Sequence, residues 1–148
     1  MPTLEYQILD ISEIESLTLE FCKKLKVGDV IMLQGELGAG KTTVSRFIIS
    51  NLHTLNNFPK PNLIKSPTYP ILLTYDIKVY EVYHYDLYRI KNKNELEELG
   101  FFENLKNSIT LIEWPELLLD PPFMQNFYLI SLKIHSEKKR YLEIKYCN

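Results

Sequence analysis

The chain has 148 residues, 45% apolar and 24% charged, the balance of an ordinary soluble globular protein with material for a single domain over 1–148. A net charge of −2 and a pI near 5.9 leave no electrostatic footprint for holding nucleic acid unaided, so neither DNA nor autonomous RNA binding is expected. No apolar run approaches the ~20 residues of a membrane span, and Met1-Pro2-Thr3-Leu4 opens no export signal, which points to a cytoplasmic protein without membrane contact.

In chain order, Ser12-Glu13-Ile14-Glu15 has capping-box spacing, and Ile14, Leu17, Phe21 and Leu25 follow at helical intervals. Cys22 falls on the apolar face of that helix. With the distant Cys147 it reads as one of two reduced thiols without metal-ligand spacing. Gly28 stops the helix, and the apolar run Val30 to Leu33 forms what reads as the first strand. It enters Gly35-Glu-Leu-Gly-Ala-Gly-Lys-Thr42, and a helix predicted over Lys41 to Leu52 follows. A strand, a glycine-rich turn and a helix in this order make a phosphate-binding P-loop. Gly35, Gly38 and Gly40 let the main chain wrap closely around phosphate. Lys41 supplies a charge to the β- and γ-phosphates, the Thr42 hydroxyl ligates Mg²⁺, and the helix N-terminus adds partial positive charge. Glu36, Gly38, Ala39, Gly40, Lys41, Thr42 and Thr43 are the expected nucleotide-contacting stretch.

A long loop broken by Pro59, Pro61 and Pro67 ends in Ser66-Pro67-Thr68-Tyr69. Ile71 to Tyr75 and Val79 to Tyr85 read as a hairpin, with Tyr80, Val82, His84 and Asp86 on one face and Glu81, Tyr83 and Tyr85 on the other. Asn94 and Glu97 cap a short helix that Gly100 ends. Thr110 to Ile112 is a strand, and Phe127 to Ile134 and Arg140 to Tyr146 are two more. The expected fold is α/β, a P-loop NTPase-like mixed sheet flanked by helices.

Two acids stand at strand ends, where α/β sheets place ligands: Asp86 and Glu113. Either can serve as the acid that holds Mg²⁺ or orients the attacking water. Thr68 either meets the γ-phosphate and Mg²⁺ as a switch contact or merely ends a Ser-Pro turn. His84 orients Asp86, partners phosphate, or packs. Arg89 is an arginine finger in cis or an exposed charge. Asn92-Lys93-Asn94-Glu95 mimics a guanine-reading motif, but it ends in Glu and opens a helix, which favours ATP over GTP. A P-loop small-molecule kinase is the alternative activity. Only Arg46, Arg89 and Arg140 are present to serve the mobile, arginine-bearing lid such kinases need.

Taken in order, Gly35-Glu-Leu-Gly-Ala-Gly-Lys-Thr-Thr43, Ser66-Pro-Thr-Tyr69, His84-Tyr-Asp-Leu-Tyr-Arg89 and Ile112-Glu-Trp-Pro115 resemble the bacterial TsaE (YjeE) family of P-loop ATPases. The resemblance covers about residues 10–146, and Pro70 departs from its pattern. It implies a weak ATPase that uses ATP and Mg²⁺ and works with TsaD and TsaB, the pair in which TsaD transfers threonylcarbamoyl to a tRNA adenosine beside the anticodon. The ATPase would reset that pair between turnovers and meet tRNA only indirectly. The resemblance further implies that Lys41, Asp86 and Glu113 are catalytic, that Thr42, Asp86 and Glu113 serve the metal, and that Thr68 and Trp114 lie at the nucleotide.

Overall fold

The computed structural model describes residues 4–119 and 122–148. In chain order its elements are β1 (Leu4–Asp10), α1 (Ile11–Cys22), β2 (Val30–Gln34), α2 (Lys41–Leu55), β3 (Leu72–Asp76), β4 (Glu81–Asp86), α3 (Lys93–Glu98), α4 (Phe101–Asn104), a 3₁₀ turn (Leu105–Asn107), β5 (Ser108–Glu113), α5 (Glu116–Leu119), β6 (Phe127–Ile134) and β7 (Lys139–Cys147). The strands form one mixed sheet in the order β1-β7-β6-β2-β5-β4-β3. β2 runs parallel to β5 and β6, and β5 runs parallel to β4. The outer pairs β3/β4, β6/β7 and β1/β7 are antiparallel. A mixed sheet flanked by helices is the fold class the sequence predicts.

The central strand shows why helices lie on both faces. Every residue from Val30 to Leu33 is apolar and buried. Ile31 and Leu33 pack with Ile14 and Phe21 of α1 and Val44, Ile48 and Ile49 of α2. Val30 and Met32 pack with Leu96, Phe101 and Leu118 of α3, α4 and α5. A strand covered on both sides loses its polar positions and reads as a continuous apolar run. Each such side chain contributes roughly 1.5–3 kcal/mol by burial. β4 instead keeps the predicted alternation. Val82 joins the α1/α2 core and Tyr83 and Tyr85 the other, which puts His84 and Asp86 on the α2 side.

Several boundaries differ from the sequence reading. The cap of α1 is Asp10, not Ser12: Glu13 N–H donates to Asp10 Oδ1 at 2.9 Å, and Asp10 N–H to Glu13 Oε1 at 3.1 Å. The Ser12 hydroxyl donates to Asp10 instead. That helix ends at Cys22, and Gly28, at φ 97°, turns the chain into β2 and does not stop the helix. α2 continues to Leu55, beyond the predicted Leu52. α3 is capped by Asn92 and Glu95, two residues before the expected Asn94 and Glu97. An N-terminal strand, β1, is added at the sheet edge, so the P-loop follows the second strand and not the first.

Candidate nucleotide site

Between β2 and α2 the chain turns through Gly38 at φ 81° and Gly40 at φ 110°, with open space where either Cβ would stand. Backbone conformation alone therefore demands glycine at both positions. Gly35 is required for a different reason, because a Cβ there would lie 2.7 Å from the Leu132 carbonyl oxygen of β6. Lys41 reaches back across the loop and donates to the carbonyls of Gly35 at 2.5 Å and Glu36 at 2.9 Å. Glu36 contributes this carbonyl, while the residue is otherwise exposed.

Parallel register sets Glu113 beside Leu33 of β2 and Asp86 beside Glu113. Both acids thus stand at the C-terminal ends of neighbouring strands, opposite the start of α2. Both are buried. The Thr42 hydroxyl donates to Glu113 Oε1 at 2.7 Å, and His84 Nε2 lies 2.5 Å from Glu113 Oε2. Asp86 Oδ2 accepts from the Thr68 hydroxyl at 3.2 Å, and Oδ1 accepts from the Tyr88 N–H at 2.9 Å. His84 therefore partners Glu113 and does not orient Asp86, one of the roles expected of it. Burial lowers the pKa of Lys41 from the ordinary lysine range, and the carboxylates of Glu113, Glu116, Asp86 and Glu36 oppose that shift.

Trp114 adopts φ 55°, an uncommon conformation for a bulky residue, between the acid and Pro115. Its ring lies 3.8 Å from the Lys41 ammonium and 4.9 Å from the Tyr88 ring. Arg89 donates to the carbonyls of Thr68 and Tyr69. Its guanidinium thus holds the Ser66–Tyr69 turn in place. The preceding long loop is anchored by Arg46, which donates to the Ile64 carbonyl at 2.8 Å, and by Phe58 and Ile64 packed against the core.

Gly38, Gly40, Lys41, Thr42, Thr43, Thr68, Asp86, Glu113 and Trp114 all line one recess of about 270 Å³. The expected site residues are brought together there except Glu36 and Ala39. Ala39 lines a second, more apolar cleft of about 430 Å³, walled by Leu9, Ile11, Val44, Phe47 and Leu132, and the two cavities meet at Gly40 and Thr43. Arg140, which opens the last predicted strand and to which the sequence assigns no part in the site, lies at the rim of that cleft. Its Nε donates to the Ala39 carbonyl at 3.1 Å and its Nη2 to the Gly38 carbonyl at 3.3 Å. No spacing in the sequence signals a contact that spans about a hundred residues.

Among the described residues, no group of three His, Cys, Asp or Glu could hold a metal ion alone. Mg²⁺ asks for less, because it takes one or two carboxylates together with substrate phosphates and retained waters. Thr42, Asp86 and Glu113 offer hard oxygen donors around one recess and fit such an ion.

A glycine-turned loop between a parallel strand and a helix, with an acid on the adjacent strand bonded to the helix's first threonine, defines a P-loop NTPase-like α/β protein. The sequence model of the family described as "Threonylcarbamoyl adenosine biosynthesis protein TsaE" matches residues 8–142. The chain is 42% identical over 128 residues to the tRNA threonylcarbamoyladenosine biosynthesis protein TsaE of Rickettsia typhi, covering 84% of this chain and 83% of that protein. Its Bacillus subtilis counterpart is 31% identical over 119 residues, 80% of this chain and 70% of the relative. The crystal structure of Bacillus subtilis YdiB shares the fold, with a TM-score of 0.71 at 23% identity over 99% of this chain and 87% of that one. The chain belongs to the TsaE family, and with it to tRNA threonylcarbamoyladenosine biosynthesis. Among the described residues, no helix is long and apolar enough to cross a membrane.

Proposed function

We propose that this chain binds ATP with Mg²⁺, hydrolyses it slowly, and does so in the cytoplasm in support of the TsaD–TsaB pair. The observation that carries the reading is the Thr42–Glu113 hydrogen bond of 2.7 Å, which joins the P-loop to a strand-end acid. Lys41 and the loop N–H groups bind the phosphates. The apolar cleft beside Thr43 and Val44 takes the base and ribose. Thr42, Glu113 and Asp86 would hold Mg²⁺ or its waters, and the ion would supply positive charge against that of the phosphates. Asp86 accepts from the Thr68 hydroxyl and the Tyr88 N–H, contacts that support a part for it in orienting the attacking water.

The role beside partners draws on the family membership and on the mouth of the recess. Leu37, Tyr69 and Tyr88 are 85%, 85% and 67% exposed on the P-loop, the Thr68 turn and the segment after Asp86. Apolar and aromatic side chains grouped at a polar site's rim suit a protein that covers it. Covering the site excludes water and strengthens its electrostatics. Titrating MgATP and MgGTP into the chain in a calorimeter tests the nucleotide half: saturable binding of MgATP, tighter than MgGTP, is expected. No heat with either nucleotide would overturn it.

A further inference from the structure

We infer that His84 is a positioning residue that fixes the carboxylate of Glu113 and, through it, the site's hold on the divalent cation. The inference rests on the nucleotide-site reading. His84 is fully buried in β4, between Leu73 of β3 and Leu111 of β5. Its Nε2 lies 2.5 Å from Glu113 Oε2, and among the described residues its buried Nδ1 has no hydrogen-bond partner. A carboxylate accepts, so Nε2 is the donor in this bond.

A residue serving only to fill this space between leucines would be apolar, because a buried nitrogen left unpaired is costly. The imidazole persists for the one bond it makes. With Oε2 held by His84, Oε1 is turned to the Thr42 hydroxyl at 2.7 Å. Two attachments fix the carboxylate plane where one would leave it free to rotate. Thr42 gives its proton to Glu113, so the lone pairs of its oxygen are left for a cation in the recess. Asp86 takes its bonds from Thr68 and Tyr88, independently of His84.

Side-chain geometry supplies a discriminating test. A glutamine amide nitrogen reaches the position of Nε2 and can donate to Glu113, whereas an asparagine amide reaches only that of Nδ1. Binding of the non-hydrolysable analogue AMPPNP is titrated with and without Mg²⁺ for wild type, His84→Leu, His84→Gln and His84→Asn, each checked by thermal melting. His84→Leu and His84→Asn should lose about tenfold or more of the Mg²⁺-dependent gain in affinity, and His84→Gln should stay within about threefold of wild type. Affinity without Mg²⁺ should be the same in all four. If His84→Leu does not fold, the Gln–Asn contrast decides alone. Equal behaviour of Gln and Asn, or a wild-type Mg²⁺ effect in His84→Leu, overturns the role of His84 while leaving the nucleotide site standing. A wild-type chain whose AMPPNP binding ignores Mg²⁺ overturns both.

Discussion

The Thr42 hydroxyl donates to Glu113 Oε1 at 2.7 Å although 71 residues separate them in sequence. The contact follows from topology. β2 and β5 are parallel neighbours with Leu33 opposite Glu113, so the loop that leaves one strand meets the acid that ends the other. Asp86 sits opposite Glu113 on the next strand, and a phosphate-binding loop therefore faces two carboxylates.

On the proposed reading those carboxylates act on cation and water, so removing either should affect chemistry more than binding. Glu113→Ala and Asp86→Ala are each expected to lower partner-stimulated turnover on the order of 100-fold or more, with ADP affinity changed far less. Steady-state phosphate release beside an ADP titration measures both. Wild-type turnover in Asp86→Ala would reduce that carboxylate to a loop residue.

Lys41→Ala should remove a charge-assisted contact worth on the order of 2 kcal/mol or more, about 30-fold in nucleotide affinity, while the fold survives. Burial holds the Lys41 pKa below the ordinary 10.5. The ammonium proposed to bind phosphate is present below that lowered pKa and is lost above it. Nucleotide affinity should therefore decline on the alkaline side at a lower pH than an exposed lysine would give. Calorimetric titrations across pH 7–10 with wild type and Lys41→Ala are the check, and only wild type should show the decline.

Arg140 clamps the other side of the same loop, with bonds to the carbonyls of Gly38 and Ala39 and to those of Ser136 and Lys139. Arg140→Ala should destabilise the fold by about 1–3 kcal/mol and weaken nucleotide binding. Arg140→Lys should recover little, because an ammonium lacks the planar fork that reaches several carbonyls at once. Urea unfolding with ADP titration of both variants reads the outcome, and a lysine variant equal to wild type would reject the clamp.

The P-loop, the hairpin faces and both strand-end acids were legible because each is a local pattern: Gly35 to Thr42 is contiguous, and period-two alternation assigns Tyr83 and Tyr85 against Val82 and His84. The caps were not legible to the residue. Asp10 and Ser12 each have a Glu three positions on, as do Asn92 and Asn94, so local chemistry is degenerate and the incoming chain selects the earlier member. β1 is an edge strand whose pairing with β7 is irregular between Leu4 and Gln7, and its sequence alone carries a weak signal. The partner of His84 and the reach of Arg140 depend on which strands are neighbours, which no spacing encodes.

Cys22 is buried in the α1/α2 core, and loss of hydration pushes its thiol up to about 12. Its Sγ lies 3.7 Å from the Ile48 carbonyl. The thiolate is the reactive form, so Cys22 should resist alkylation in the native protein at pH 8 while the half-buried Cys147 reacts first. Mass spectrometry after iodoacetamide should find modification at Cys147 alone, and at both thiols in denaturant.

Phosphate release from ATP by the chain alone, and again with TsaD and TsaB, is the measurement that bears most directly on a partner-completed ATPase. Turnover of the isolated chain is expected well below the ~1–100 s⁻¹ typical of phosphoryl-transfer kinases. It should rise when both proteins are added and stay low for Glu113→Ala. A rapid rate from the chain alone, unchanged by TsaD and TsaB, would contradict it.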